Sequence, residues 1–368
     1  MNLNNPMLKL GDVLIYEQPT KYIVKSENYN DSFPIPVLTP GQTFILGYTD
    51  ETDGIYLKPL PVIIFDDFTT ATKLVNFPFK VKSSAMKILK PANNEVFLPY
   101  WYYFLSSLKV DNELHKRYWI SVFANKQVSC PSFLEQKRIA GILDKVQSLI
   151  ALQKQQLEKL DLLIKSKFID MFGDPSCLES VTVPLKTYAQ ISGGYAFPSD
   201  KFLSAGIPII RISNLQNGSV VSSSKCCFSP QFLSSHSEYA VQYEDILLAM
   251  SGATVGKTAI YKQKNPALLN QRIACLRNID KVSCTAFLYI ITKMKWFYDS
   301  ILNLSAGCAQ PNISISQIQG LLVPKASFVR QRQFSCFYYN IEKQKVLLKN
   351  RLASLETLYK SLMQEYFG

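Results

Sequence analysis

Ser251-Gly-Ala-Thr-Val-Gly-Lys-Thr258 is the stretch whose residue types and spacing come nearest to phosphate chemistry. It follows a strand-like run, Asp245–Met250, and ends in Gly-Lys-Thr. A phosphate-binding loop needs Gly, four residues, then Gly-Lys-[Ser/Thr], so that backbone N–H groups cradle the phosphates. Here Ser251 holds the first position and Gly252 comes one residue late. Ala259-Ile-Tyr261 then reads as strand rather than helix. Two readings stand at this point. One is a P-loop NTPase with coiled-coil arms. The other is a tight loop that sets Ser251, Thr254 and Lys257 against a DNA phosphate or base edge. Glu135-Gln-Lys137 is an E-x-K pair of the kind nucleases use for metal, but helix capping by Glu135 accounts for it more simply.

Other polar loops carry side chains suited to reading DNA. Ser192-Gly-Gly-Tyr-Ala-Phe-Pro198 is a glycine turn, with Gly194, that presents Tyr195. Arg211, Asn214 and Gln216 share one loop, and Asn270-Gln271-Arg272 forms another. Arg, Asn and Gln can each read a base edge through two hydrogen bonds. Ordinary capped turns are the competing reading of each. In the first part of the chain the candidates are Lys21, Tyr22, Thr69, Thr70, Thr72, Lys73, Lys82, Ser84 and Lys87. A faint repeat links the two sets. Val62–Lys73 aligns with Ile246–Lys257, Ser83–Ile88 with Asn270–Cys275, and Pro131 with Pro324. No short motif of amino-methyltransferases, serine hydrolases or zinc proteases is present, so no catalytic constellation is expected.

The elements that must position these loops are two long helices. Phe133–Gly173 and Phe328–Gly368 align without a gap and share Gln136/Gln331, Leu152/Leu347, Leu157/Leu352, Leu160/Leu355, Leu163/Leu358 and Phe172/Phe367. Such a match is an internal duplication. Ser132 and Ser327 stand as N-caps, and Glu135 completes a capping box in the first copy. Gly173 suits a left-handed stop. Apolar residues recur as a heptad: Leu143, Val146, Ile150, Leu157, Leu160 and Ile164, then Ile341, Leu348, Leu352, Leu355, Tyr359 and Leu362. Gln153 and Lys345 interrupt the two seams. A seam of this spacing needs a partner helix, and each copy is the other's nearest candidate, which predicts an intramolecular coiled coil.

The chain has 368 residues, enough for two cores, and carries a net charge of +12. That charge is uneven. Residues 1–132 and 133–174 each contribute +1, residues 175–327 contribute +6 and residues 328–368 contribute +4. A basic excess suits a polyanionic partner. Eight cysteines without a C-x-x-C pair, and two histidines, imply no metal site and a reducing, cytoplasmic setting. No signal-peptide core and no membrane-length apolar run is expected. Strand-like runs at Asp12–Tyr16, Thr43–Leu46, Pro61–Phe65 and Pro208–Ile212, with helices at Phe97–Leu108 and Ala286–Leu302, predict an α+β class. Four spans follow: a globular α/β domain over residues 1–132, a helix over 133–174, a second domain over 175–327 and a second helix over 328–368. Two copies docked through an antiparallel helix pair acquire a pseudo-twofold axis, as a DNA duplex has.

These residues resemble a known family. Ile191-Ser-Gly-Gly-Tyr-Ala-Phe197, Gly206-Ile-Pro-Ile-Ile-Arg-Ile-Ser-Asn-Leu215, Asp245–Lys257, Asn270-Gln-Arg-Ile273, Ala309-Gln-Pro-Asn-Ile-Ser314 and Phe133-Leu-Glu-Gln-Lys-Arg-Ile-Ala140 are similar to segments of the specificity subunit of type I restriction–modification systems. The resemblance covers the whole chain. It implies two target-recognition domains, with the helices acting as a ruler across an unread spacer in double-stranded DNA. It also implies a non-catalytic chain that binds no cofactor itself. Two modification subunits would dock on it and methylate adenine with S-adenosylmethionine. Motor–nuclease subunits using ATP and Mg would join where the system also cleaves. A related alternative is the specificity module of a two-subunit methyltransferase–nuclease. The first domain departs from the pattern, because Phe65-Asp-Asp-Phe-Thr-Thr70 replaces the glycine-bearing loop.

Overall fold

The computed structural model describes residues 5–40, 43–108, 118–177, 180–221, 226–305 and 311–368. His115, Cys308 and the Ala309-Gln310 part of the segment Ala309–Ser314 lie outside them. The chain forms two compact units: Met1–Lys154 with Arg351–Gly368, and Gln155–Asn350. These do not follow the four spans expected from sequence. Each long helix, Phe133–Phe172 and Phe328–Phe367, is continuous, yet its two parts belong to different units.

The helices begin where their caps stand. Ser132 Oγ accepts the Glu135 N–H at 3.4 Å, and Ser327 Oγ accepts the Arg330 N–H at 3.4 Å. The capping box is only half made. Glu135 turns instead to Arg138, which donates to it at 2.7 and 2.8 Å, because a guanidinium fork one turn away is the stronger donor. The first helix ends at Gly173, whose φ of +79° is open to a residue without Cβ.

In the first unit a four-stranded antiparallel sheet runs in the order Leu14–Glu17, Met86–Pro91, Val62–Asp66, Thr72–Val75. Side chains alternate across it. Ile63 and Phe65 face a core built with Trp101, Tyr103, Trp119 and Phe123, the helix residues Ala140 and Leu143, and Tyr359, Leu362 and Phe367 from the chain's last turns. Val62 and Ile64 face a second core with Leu38, Tyr56, Phe79 and Val81.

The second unit repeats this plan. Its sheet begins Ala189–Gly193, Ile273–Asn278, Ile246–Ala249, Thr258–Ile260. Ile246 and Leu248 face a core that takes Ile164 and Phe168 from the first long helix and Phe334, Tyr338 and Ile341 from the second. Leu247 and Ala249 face the other way. The strand pairings correct the register read from sequence. Ile63 pairs with Leu89 as Ile246 pairs with Leu276, and Phe65 pairs with Thr72 as Leu248 pairs with Thr258. Ile63 therefore matches Ile246, one residue off the sequence alignment, and Lys73 matches Ala259 rather than Lys257. A one-residue slip would have turned every core side chain outward. The Ser83–Ile88 alignment agrees with the pairings, since Ile88 sits opposite Ile64 as Cys275 sits opposite Leu247.

Three smaller differences have local causes. The run Asp12–Tyr16 splits into a single helical turn, Leu10–Val13, and the strand Leu14–Glu17. The strand after the Pro40 turn is Ile45–Thr49. Ala286–Leu302 is two helices, Thr285–Ile291 and Lys295–Ser305. At the break, the Thr292 hydroxyl bonds back to the Tyr289 carbonyl at 2.7 Å and competes with the helix ladder. No helix among the described residues is long and apolar enough to cross a membrane.

Within each unit the long helices pair antiparallel. In the first, Gln147 donates to the Tyr359 hydroxyl at 2.9 Å and Lys154 meets Glu356 at 3.1 Å. In the second, Lys345 lies 2.6 Å from both Asp161 and Glu342. Burial alone would lower the Lys345 pKa, but those two carboxylates outweigh it and hold it above its ordinary value. All twelve heptad positions named above are buried or half-buried, whereas Leu152, Leu163, Leu347 and Leu358 are exposed. Gln153 Oε1 is buried without a partner.

One buried residue fixes each domain to its helix. Gln136 is fully buried and takes the Phe97 N–H at 2.8 Å and the Trp101 indole N–H at 3.1 Å. Its amide donates to the carbonyls of Glu95 at 3.1 Å and Pro131 at 2.8 Å. Gln331 is also fully buried, accepts the Cys284 N–H at 3.1 Å and donates to Val282 at 3.2 Å and Ala326 at 3.1 Å. Ala326, not Pro324, is thus the counterpart of Pro131. Leucine at either position keeps the volume and strands three or four buried polar groups, each costing ~1–3 kcal/mol. Gln136→Leu and Gln331→Leu should each lower unfolding free energy by about 3 kcal/mol or more in denaturant titration; a loss under about 1 kcal/mol would show the clamp to be idle.

Candidate nucleic-acid interface

At one edge of the second unit, backbone hydrogen bonds knit loops from distant parts of the chain together. The Tyr195 N–H reaches Leu269 O at 2.8 Å, and the Gln271 N–H returns to Tyr195 O at 2.9 Å. The Asn270 N–H reaches Ile210 O at 3.1 Å, and the Met250 N–H reaches Arg272 O at 3.0 Å. The Gly252 N–H and Pro311 O close the group at 3.0 Å. Gly194 is glycine because a Cβ there would lie 2.3 Å from the Leu269 and Asn270 carbonyl oxygens. Since main chain does the joining, the side chains of this edge are free for other work. Arg211, Gln271, Arg272 and Thr254 are exposed. Gln216 is exposed as well, its amide bonded to Ser213 O at 3.1 Å.

Two sequence candidates in this unit are used structurally. Asn214 is buried; it accepts the Arg211 N–H at 2.8 Å and donates to Val221 O at 2.7 Å, so both ends of its amide are occupied. Tyr195 is half-buried in an aromatic cluster with Phe197, Phe232, Tyr239 and His236, at centroid distances of 5.1 to 6.0 Å. It props the loop and does not offer a free ring for stacking.

The first unit keeps the knit and changes the chemistry. The Asp67 N–H meets Ala85 O at 3.0 Å, where the second unit has Met250 and Arg272. Ser84 is exposed at the position of Gln271. Most of the cations expected to reach outward are neutralised. Lys21 and Lys90 lie 2.7 Å from Glu17, Tyr22 donates to the same carboxylate at 2.9 Å, and Lys82 lies 2.6 Å from Glu27. Burial alone would raise the Glu17 pKa, yet those three donors bring it down to about 2. The Thr69 hydroxyl is bound by Asp66, and Thr72 by Ser106 at 3.0 Å. Thr70 adopts a left-handed φ of +58° to close the turn. Lys87 is buried, 3.2 Å from Asp67 and 2.7 Å from Gln18, and is no surface contact at all. Exposed Lys73, over the Phe44 ring, and Ser84 remain. Sequence reading missed Phe68, half exposed on the same turn, because an apolar residue there resembles core.

Comparison with known proteins matches this duplicated plan. The family model described as type I restriction modification DNA specificity domain matches residues 4–162 and again residues 178–356. The chain belongs to this family. An Escherichia coli type I restriction enzyme specificity subunit is 50% identical over 155 residues, 39% of this chain and 38% of that subunit. One from Methanocaldococcus jannaschii is 23% identical over 264 residues, 66% of this chain and 61% of its own length. The chain thus spans less than two thirds of either relative. Among solved structures, the type I S subunit from M. genitalium shares the fold, with a TM-score of 0.64 at 16% identity, covering 100% of this chain and 98% of that one. A chain from a type I R-M system, in work on complex assembly and conformational transition, gives a TM-score of 0.55 at 14% identity, over 98% of this chain and 97% of that one.

In this specificity-domain chain the Ser251–Thr258 loop is not a phosphate-binding loop of the NTPase kind. Gly252–Thr254 makes a single tight turn, and Thr258 opens the strand Thr258–Ile260. No helix N-terminus therefore faces a phosphate, which the NTPase cradle requires. Gly256, at φ +81°, leaves room for Tyr298, to which a Cβ would come within 2.9 Å. Ser251 Oγ is buried without a partner, while Lys257 is exposed.

The register gives a direct test of the Lys87 correction. By strand pairing Asp67 and Lys87 stand where the second unit has Met250 and Ala274. Lys87→Ala should cost about 3–5 kcal/mol by leaving Asp67 buried and unpaired. Asp67→Met added to it should recover part of that loss. Denaturant unfolding decides, and a Lys87→Ala protein of unchanged stability would return Lys87 to the surface candidates.

Proposed function

We propose that this chain reads DNA sequence on behalf of partner enzymes, and does no chemistry itself. The observation that carries this is the second unit's edge: main-chain bonds hold the loops, while exposed Gln271 and Arg272, and exposed Arg211 with one Nη1 contact to Cys226 Sγ at 3.7 Å, face an outside ligand. Arg pairs with guanine and Gln with adenine through two hydrogen bonds each in the major groove. The net +6 of residues 175–327 supplies the phosphate attraction that dominates protein–DNA affinity. The first unit, near neutral and presenting Phe68, Lys73 and Ser84, would read a different half-site with fewer ionic contacts. Family membership supports the same reading, as does the retained frame with altered loops.

The partners are modification subunits that methylate adenine with S-adenosylmethionine, with motor–nuclease subunits using ATP and Mg where cleavage occurs. Two copies of the modification subunit fit the duplication. The first unit exposes Leu152 and Leu358, and the second exposes Leu347 and Leu163, which are the same two repeat positions. Exposed leucines kept identical in both copies suit two equivalent docking sites. Leu152→Glu with Leu358→Glu should reduce the bound modification subunits from two to one by native mass spectrometry. Two copies still bound would place docking elsewhere.

Modularity is tested by exchange. Replacing residues 175–327 with the equivalent segment of a relative should change one half of a bipartite methyladenine motif in sequencing of the host's methylation. The other half should stay. A change in both halves at once would mean that the units read DNA as one composite surface.

A further inference from the structure

A basic pocket in the second unit is not explained by base reading. It has a volume of 550 Å³ and is walled by Lys165 of the first long helix, the Ala253–Thr258 loop and the turn carrying Lys293 and Lys295. Lys295 is matched by Asp299 at 2.6 Å. Among the described residues no carboxylate lies within ion-pair distance of Lys165, Lys257 or Lys293. An adjoining cavity of 350 Å³ shares Lys165 and Lys293 and adds Asp161, Lys345 and Lys349, but Asp161 is already taken by Lys345 at 2.6 Å.

Lys293 is the unusual member. It is half-buried, donates to Thr258 O at 2.8 Å and lies 4.9 Å above the Tyr289 ring. Burial pushes its pKa down to about 8, and Lys165 and Lys257 push in the same direction. Like charges gathered around a cavity raise the free energy of the empty site and lower it for an anion. The fold does not require them. In the first unit the place of Thr258 is held by Thr72, bonded to Ser106 in a neutral pair.

We infer that Lys165, Lys257 and Lys293 together hold a phosphate group, supplied by the DNA backbone when duplex is bound. The source of the phosphate rests on the DNA-reading proposal; the anion pocket itself does not. Three ammonium groups around an open cavity suit a tetrahedral oxyanion on a polymer that runs past the surface, and Lys257 and Lys293 line it together with Thr258. Phosphate restores the charge on Lys293, so binding takes up a proton above about pH 8. The other charged or titratable groups facing the pocket and its neighbour are Lys295, paired with Asp299, and Tyr298, Tyr289, Asp161, Lys345 and Lys349. Burial holds the Tyr289 phenol above its ordinary range, and Lys345 is likewise held up, so neither supplies this proton.

The test uses the full chain, a duplex, and inorganic phosphate as the second probe. Wild-type affinity for duplex of any sequence should fall as pH rises through about 8, by at most roughly tenfold per unit. Lys293→Met should remove that dependence and lower the salt slope by about one. Lys165→Met, at an exposed position that cannot unfold the chain, should also weaken binding. Lysine-detected NMR should show duplex and inorganic phosphate each raising the Lys293 titration. If phosphate raises it while duplex affinity ignores pH and both variants, the DNA source is wrong and the pocket binds free phosphate. If neither probe moves it, the inference falls. Arg272→Ala separates the two proposals: a change in base preference there, with duplex affinity indifferent to Lys293→Met, leaves DNA reading intact and rejects the DNA backbone as the source of the phosphate.

Discussion

Neither sheet closes its core with its own strands and short helices; each takes side chains from both long helices. The first takes Ala140 and Leu143 from one long helix and Tyr359, Leu362 and Phe367 from the other, and the second takes Ile164 and Phe168 from one and Phe334, Tyr338 and Ile341 from the other. Phe172 and Phe367, the same repeat position, make the dependence plain. Phe172 lies 4.9 Å from Phe287, and Phe367 lies 5.3 Å from Tyr100, on matching short helices. Apolar burial is the largest favourable term in folding, so each core is complete only when both long helices pack on it. Cooperative formation of helix and domain follows from this, and so does the failure of any cut at the domain–helix boundary to leave an intact core.

Burial alone does not say which face of a helix meets which loop. The two glutamines supply that. A fully buried amide costs free energy unless every bond is made, and a helix rotated or shifted by one residue would break them all. Gln136 and Gln331 thus specify one docking geometry, in the same way that a polar seam residue sets coiled-coil register. Lys345 does similar service between helices, where Asp161 and Glu342 repay its burial.

Much of this frame was legible in the residues, and the reasons are physical. A heptad repeated over forty residues leaves no other face to bury, so the seam positions could be named singly. The glutamine pair was visible as an identity, but its role was not, because its partners are carbonyls and N–H groups that no sequence pattern marks. The hairpin alignment slipped by one residue because the second unit's Ser251–Lys257 loop is longer than its counterpart, and apolar strands of Val, Ile and Leu look alike in either register. Lys87 was misplaced for a related reason. A lysine in a strand is ordinarily an exposed residue, and only the fold shows Asp67 waiting beside it.

The same contrast explains how one frame serves two different surfaces. The bond from Asp67 N–H to Ala85 O and that from Met250 N–H to Arg272 O join equivalent loops, and neither depends on a side chain. Ser83-Ser84-Ala85 can therefore stand where Asn270-Gln271-Arg272 stands, and Thr72 with Ser106 where Thr258 meets Lys293, without altering the strands behind them. Residues that carry the frame are constrained by packing and by buried hydrogen bonds. Residues on the knit edge answer only to what lies outside the protein, so a duplicated unit can keep its fold while its two copies come to recognise different things.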